Sequence, residues 1–132
     1  MQEPFVAYWI LLVGALMPFP LVIIAKASRD YDNTDPRNPA AVNTPLRRSA
    51  YGAHQNGLEA FPLLAVAVLL AALRHAPAET VNILACIWLA FRLVYAACYL
   101  TRRGSLRSLS WAGATACSLA IFVMALTRGT GI

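Results

Sequence analysis

The stretch GLEAFPLLAVAVLLAAL, residues 57–73, contains one charged side chain, that of Glu59, in an otherwise almost wholly apolar run. Such a run approaches the roughly 20 residues that an α-helix needs to cross the hydrocarbon core of a membrane. Three more stretches of similar length and composition occur in the chain. Together with the polar residues that lead into them, the four predicted helices cover about residues 5–27, 47–74, 79–101 and 105–127.

The composition also indicates a membrane protein. Of the 132 residues, 59% are hydrophobic and only 13% are charged, whereas about a quarter of the residues in an ordinary soluble domain are charged. Four spans use nearly the whole chain, which leaves no room for a soluble domain. We therefore predict one all-α integral membrane domain over residues 1–132, a four-helix bundle whose successive helices run up and down.

The first apolar stretch has an alternative interpretation as a cleaved signal peptide, because AKA at residues 25–27 resembles a cleavage site. Two features favour an uncleaved helix instead. The N-terminal MQEPF carries no positive charge, and the apolar stretch is longer than the core of a usual signal peptide.

The basic residues predict the orientation of the helices, because cytoplasmic loops carry an excess of Lys and Arg. The side opposite the first and third loops has only Arg74 and Arg128. The basic residues in or beside those two loops are Lys26, Arg29, Arg37, Arg47, Arg48, Arg102, Arg103 and Arg107. We expect both loops in the cytoplasm and both termini on the other side of the membrane. This asymmetry accounts for the net charge of +5, so no nucleic-acid partner is predicted.

The compact loops and the lack of an organelle signal favour a bacterial inner membrane. The cysteines, Cys86, Cys98 and Cys117, fall inside predicted spans and lack metal-binding or redox spacing. Free cysteine packs as a small buried hydrophobe. The sequence therefore predicts neither a disulfide framework nor a metal site.

Polar residues gather where the second span begins, in YGAHQNGLEAFP, residues 51–62. Residues three and four apart share a helix face. One such stripe consists of Gly52, Asn56 and Glu59, with Arg48 a turn before it. His54 and Gln55 point elsewhere and are predicted to be bystanders.

The third and fourth spans bring further polar groups to the same side. Arg92, Tyr95 and Tyr99 share one face of the third span, and the fourth span opens with Arg107 and Ser108. The second span begins, the third ends and the fourth begins at the cytoplasmic side in this topology. We therefore expect all these groups to converge in the cytoplasmic half of the bundle.

A charged group inside a membrane needs a partner, because it costs about 2.5 to 3.5 kcal/mol even on a lenient scale. The structural interpretation is that Glu59 and Arg92 form a buried ion pair, with Asn56 as a hydrogen-bonding link between helices. The functional interpretation starts from the positive charge of Arg92, Arg107 and Arg48, which exceeds that of one carboxylate. Such an excess favours an anionic ligand.

These segments resemble the MAPEG family, the membrane-associated proteins in eicosanoid and glutathione metabolism. AHQNGLEAFP is similar to the family's second-helix signature, in which an Asn and a Glu three residues later precede an apolar run and a proline. FRLVYAACYL resembles the third-helix segment with an Arg and, seven residues later, a Tyr. YLTRRGSLRSLSW looks like the segment that carries an Arg-Ser pair in the prostaglandin E synthase branch. The resemblance covers the whole chain.

The resemblance implies a homotrimer that binds glutathione, as a co-substrate, between subunits in the cytoplasmic half. Asn56 and Glu59 would hold its polar groups, with Glu59 at the amino end. Arg92, Tyr95 and Tyr99 would bind from the third helix, with Arg92 at a carboxylate.

The resemblance also implies the chemistry. Arg107 would be the catalytic residue beside the sulfur, with Ser108 near it, because a neighbouring arginine favours the thiolate and the thiolate is the nucleophile. A lipid or another hydrophobic small molecule, an electrophile or a hydroperoxide, would enter from the lipid side.

One position departs from the family pattern, in which an arginine commonly stands four residues before the Asn. Here that residue is Gly52, the residue seven before the Asn is Ser49, and Arg48 is one residue out of phase, about 100° around the helix. Arg48 reaches the site by its long side chain, or the site binds glutathione weakly, or it binds another ligand.

The enzyme hypothesis is a glutathione-dependent transferase or peroxidase. The alternative is a non-catalytic lipid-binding or accessory membrane protein that keeps the fold.

Overall fold

The computed structural model describes residues 2–27, 32–36, 38 and 44–128, and the regular secondary structure in them is helical. Arg29 and Arg37, two of the basic residues assigned to the first loop, lie outside the described residues. The helices are α1 (Phe5–Leu16), α2 (Pro18–Lys26), α3 (Pro45–Leu73), α4 (Ala78–Leu100) and α5 (Gly104–Thr127).

Together α1 and α2 form one span, Phe5–Lys26, and α3, α4 and α5 form one span each. Among the described residues, four spans of 22, 29, 23 and 24 residues are long and apolar enough to cross a membrane. Their ends differ from the predicted bounds by no more than two residues. The chain is a multi-pass membrane protein.

Prolines act differently in the first two spans. α1 and α2 meet at Met17, directly before Pro18. Pro18 and Pro20 have no N–H, so two hydrogen bonds of a regular helix cannot form there. Pro62, by contrast, lies inside α3, which continues through it.

α3 begins at Pro45, two residues earlier than predicted, because the residues before it form a helix start. The hydroxyl of Thr44 accepts a hydrogen bond from the backbone N–H of Arg47 over 3.2 Å. Proline at the first position fits a helix start, since that N–H has no helical acceptor.

In the turn between α4 and α5, the sequence TRRGS, residues 101–105, predicts a helix cap at Gly104, because glycine favours that position, but the structure differs. Arg102 takes the left-handed conformation, with a φ of 61°, and Gly104 is the first residue of α5. The N–H of Arg103 donates to the carbonyl of Cys98 over 2.8 Å, and that of Arg102 donates to Tyr99 over 3.2 Å. These two bonds form the Schellman motif that commonly ends helices, here with arginine where glycine is usual.

The core lies among α1, α3, α4 and α5. Its largest fully buried side chains include Leu64, Val68, Val81 and Ile121. Small residues at membrane helix interfaces let backbones approach closely. The alanines of this kind, each at most 1% exposed, include Ala7, Ala67, Ala85 and Ala114.

The bundle has two different ends. The start of α3, the end of α4 and the start of α5 meet at one of them, which we call the α4–α5 end. At the other, the α3–α4 end, Arg74 donates to the carbonyl of Ala125 over 3.0 Å and Arg128 donates to that of His75 over 3.2 Å.

Candidate functional site

Three adjoining cavities extend along α3, α4 and α5 from the α4–α5 end. The mouth cavity, of about 280 Å³, is lined by Pro45, Arg48, Ser49, Cys98, Tyr99, Arg102, Arg103, Gly104 and Arg107. The middle cavity, of about 390 Å³, is lined by Gly52, Gln55, Asn56, Glu59, Tyr95, Tyr99, Arg107, Ser108 and Trp111. The deep cavity, of about 210 Å³, is lined by Asn56, Glu59, Ala60, Leu63, Trp88, Trp111, Ala114, Thr115 and Ser118. Neighbouring cavities share lining residues and form one cleft.

The middle cavity brings together most of the predicted site residues. Those on its wall are Asn56, Glu59, Tyr95, Tyr99, Arg107 and Ser108. Arg48 lines the mouth cavity instead. Arg92 lines none of the three, because its side chain is buried behind the wall and only 4% exposed. The volume of the middle cavity lies within the range typical of small-molecule sites.

Arg92 and Glu59 are connected through an asparagine. Nη1 of Arg92 donates to Oδ1 of Asn56 over 2.8 Å, and Nδ2 of Asn56 donates to Oε2 of Glu59 over 3.3 Å. A guanidinium only donates hydrogen bonds, so the amide oxygen must face Arg92 and the amide nitrogen is left for Glu59. Among the described residues, the direct Arg92–Glu59 ion pair of the structural interpretation is therefore replaced by this bridge.

The tyrosines stack between the two arginines of the site. The guanidinium of Arg92 lies 4.2 Å from the ring centroid of Tyr95. The rings of Tyr95 and Tyr99 are in edge contact, 5.7 Å apart at 67°. Arg107 lies 4.8 Å from the ring centroid of Tyr99. Both cation–π contacts are within the distance at which the ring attracts a cation.

Tyr99 fills the space above Gly52, the position at which the family pattern has an arginine. A β-carbon on Gly52 would overlap the Tyr99 hydroxyl and lie 2.7 Å from its Cζ atom. Any larger residue at position 52 therefore requires Tyr99 to move.

Arg107 lies where the mouth and middle cavities join, and lines both. Its backbone N–H donates to the carbonyl of Arg103 over 3.0 Å, which places it in the first turn of α5. Ser108 follows it on the wall of the middle cavity. The positive end of the α5 dipole adds to the guanidinium charge here, so an anion near Arg107 is favoured.

His54 and Gln55, which were both predicted to be bystanders, have different surroundings in the structure. Nδ1 of His54 lies 2.8 Å from the carbonyl oxygen of Pro18, and since a carbonyl only accepts, Nδ1 is the donor. His54 thus ties α3 to α2, away from the cleft. Gln55 lies on the wall of the middle cavity. Its spacing of three from Gly52 could have indicated this.

The deep cavity is the more apolar end of the cleft and contains an unpartnered hydroxyl. Oγ of Ser118 is the only buried side-chain polar atom in the described part of the chain without a hydrogen bond. By contrast, the hydroxyl of Ser110, about two turns earlier in α5, donates to the carbonyl of Leu106 over 2.8 Å. The indoles of Trp88 and Trp111 also line this cavity.

A model of the MAPEG family matches residues 6–127. The chain belongs to the MAPEG family. The match covers the four spans except for Phe5, together with every residue of the cleft, and it confirms the resemblance to the family. Comparisons with curated proteins and with solved structures give no match. The MAPEG chain thus has the four-helix architecture of its family and a polar cleft between α3, α4 and α5.

Proposed function

We propose that this MAPEG protein is a glutathione-dependent membrane transferase or peroxidase that acts on hydrophobic electrophiles. The observation that carries the proposal is the position of Arg107, at the junction of two cavities and in contact with the Tyr99 ring. Arg107 provides a permanent positive charge on the wall of a cavity that is large enough for a small peptide. Membership in MAPEG supports glutathione as the co-substrate.

The charges of the middle cavity complement those of glutathione, which has one amino group and two carboxylates. Glu59 is exposed on the wall and suits the amino end. Asn56 and the Tyr99 hydroxyl supply hydrogen bonds, and Arg48 at the mouth suits a carboxylate. In this proposal Arg92 acts through Asn56, because its Nη1 holds the amide oxygen and so fixes the direction of the amide nitrogen.

Arg107 would activate the thiol. A thiol with a pKa near 8.5 is mostly protonated at neutral pH, and lowering that pKa by two units requires about 2.7 kcal/mol of preferential thiolate stabilisation. A guanidinium remains protonated under all ordinary conditions. The thiolate sulfur then forms a bond to the electrophilic carbon of the second substrate while the leaving group departs with the bonding electrons.

The second substrate would lie in the deep cavity, which adjoins the middle cavity along Asn56 and Glu59. Trp88 and Trp111 offer flat apolar surfaces there. The Ser118 hydroxyl gives that ligand a buried hydrogen-bonding partner. These features favour an apolar electrophile that bears one oxygen-containing group.

The exposed apolar side chains support a membrane-embedded homotrimer. Large apolar residues on α1 remain uncovered by the rest of the chain, including Phe5, Trp9, Leu12 and Leu16. Such residues contact lipid or another protomer in a membrane protein. In this proposal the glutathione site lies in the cytoplasmic half of the membrane, as the distribution of basic residues favours. The compact loops favour a bacterial inner membrane.

The test is a glutathione titration of the detergent-purified protein, with thiolate absorbance and conjugation of an aryl halide as readouts. Arg107→Ala should raise the thiol pKa and slow conjugation about 25-fold at pH 7, if two pKa units are lost and the thiolate fraction falls accordingly, while glutathione still binds. Arg74→Ala, at the α3–α4 end, is the control and should conjugate like the parent. Conjugation by Arg107→Ala at the parent rate would contradict the assigned role.

The second candidate is a non-catalytic lipid-binding or accessory protein with the MAPEG fold. Gly52 favours it, because the family pattern has a cation at that position. This candidate predicts no binding and no thiolate at millimolar glutathione. The same titration therefore decides between the two.

A further inference from the structure

The mouth cavity is unusually basic. Arg48, Arg102, Arg103 and Arg107 line it, and none of its lining residues is acidic. Like charges gathered around one cavity repel one another. An anion in the cavity would offset that repulsion.

Two of these arginines have guanidinium groups available for a ligand. Within the described chain, the side chains of Arg102 and Arg103 make no hydrogen bond or ion pair. Arg107 contacts the Tyr99 ring, and Arg48 has contacts of its own. Arg102 and Arg103 therefore carry the argument.

The backbone holds these two side chains at the cavity. Arg102 is in the left-handed conformation, φ 61°, which is unfavourable for a residue with a β-carbon and is usually taken by glycine. The chain instead has its glycine two residues later, at Gly104. A charged residue in a strained position is often retained for a function of its side chain.

We propose that the mouth cavity binds the phosphate group of an anionic phospholipid. Guanidinium groups match phosphate oxygens in pairs, and basic pockets between membrane helices bind anionic headgroups. The first turn of α5, which has no side-chain cap, adds backbone N–H donors on the same wall.

The place of the cavity favours a lipid headgroup over a soluble phosphate. It lies at the ends of three spans, where α3 begins, α4 ends and α5 begins, and headgroups lie at the ends of membrane spans. Exposed leucines continue from it along α3 and α5, namely Leu46, Leu106 and Leu109. Acyl chains can lie against these leucines while the phosphate meets the arginines.

This site adjoins the proposed glutathione site and shares Arg48 and Arg107 with it, but Arg102 and Arg103 belong to the phospholipid site alone. Arg102 and Arg103 do not line the middle cavity. Their loss should therefore affect the phospholipid and leave glutathione binding unchanged, so the two proposals can fail separately.

The experiment measures the unfolding temperature of the detergent-purified protein as phosphatidylglycerol, phosphatidylcholine or inorganic phosphate is added. We expect phosphatidylglycerol to raise it at concentrations at which the other two do not. The double variant Arg102→Gln/Arg103→Gln should need about 30-fold more phosphatidylglycerol for the same rise. This factor is the usual contribution of a basic residue near an anionic headgroup, counted once for each of the two arginines removed. The matched control is Arg74→Gln/Arg128→Gln, which removes two arginines at the α3–α4 end and should respond like the parent.

Native mass spectrometry of the parent protein gives a second readout that does not depend on the variants folding. Phosphatidylglycerol should remain bound where phosphatidylcholine does not. Equal responses to the two lipids would overturn the proposal, as would an equal loss in the control variant. A rise produced equally by inorganic phosphate at the same concentration would overturn the assignment to a lipid.

Discussion

Asn56 shows how one uncharged residue arranges two charges in the cleft. Arg92 is 4% exposed, and its Nη1 donates to the amide oxygen of Asn56. The amide nitrogen of Asn56 then faces Glu59. An aspartate in its place could not donate to Glu59, so the similar shape of the two residues does not make them equivalent.

We predict that Asn56→Leu lowers the free energy of unfolding by about 1 to 3 kcal/mol, because it leaves a buried guanidinium without its acceptor. Combining it with Arg92→Met should recover much of the loss, since removing both partners leaves no polar group unsatisfied. Denaturation by a titrated ionic detergent measures both. Gln55→Leu, on the same cavity wall but without a hydrogen bond among the described residues, is the control. A double variant no more stable than Asn56→Leu would contradict the bridge.

Spacing along the sequence found most of the predicted polar residues of the cleft, but it missed Gln55 and did not show which residues pair. Asn56 and Glu59 share a face by helical periodicity alone, and the cleft does contain both. Which of them meets Arg92 depends on side-chain reach across α3 and α4, and this was not readable from spacing. The structural interpretation pairs the two charged residues directly, because charge is the stronger signal in a sequence.

Between elements, the contact of Gly52 and Tyr99 sets how closely α3 and α4 approach at the cleft. The Tyr99 hydroxyl occupies the volume that a side chain at position 52 would take. The ring is also held by its edge contact with Tyr95 and by Arg107. A change at Gly52 is therefore transmitted to Arg107 through the ring.

We predict that Gly52→Ala weakens glutathione binding about fivefold, because moving the ring forfeits an aromatic or cation–π contact worth about 1 kcal/mol. Isothermal titration calorimetry of the purified protein gives the dissociation constant. Gly104→Ala is the matched control, since a β-carbon there meets nothing within 4 Å. Equal affinities of Gly52→Ala and the parent would contradict the contact.

The helix ends show where sequence patterns stop being decisive. The lengths of the apolar stretches located all four spans, because the thickness of the hydrocarbon core sets how many apolar residues a crossing helix needs. Gly104 was nevertheless the wrong residue for the cap of α4, since the left-handed residue is Arg102. Glycine is favoured at such a position by about 1 to 2 kcal/mol, but the bonds from Arg102 and Arg103 to the last turn of α4 fix the cap two residues earlier.

On the scale of the whole molecule, basic residues at the α4–α5 end and apolar surface along the spans are the main features. The loop between α2 and α3 contributes further charge that lies partly outside the described residues. The membrane orientation follows from these charges by the positive-inside rule and remains a prediction.

We predict that the α4–α5 end faces the cytoplasm. In a chain whose native cysteines are replaced by alanine, Gln2→Cys should react with a membrane-impermeant maleimide in intact bacterial cells. Ser105→Cys should react only after the membrane is opened. Both positions are exposed, so access is decided by the membrane. The reverse pattern of labelling would contradict the orientation.

The packing of Tyr99 on Gly52 also has a consequence for repairing the family pattern. A β-carbon at position 52 meets the end of the Tyr99 side chain and no backbone atom, so the ring can make room by rotating about its side-chain bonds. The family pattern combines an arginine at the position of Gly52 with a tyrosine at the position of Tyr99, so the two side chains are compatible. Restoring the arginine therefore takes a single exchange in this chain, accompanied by a reorientation of one ring.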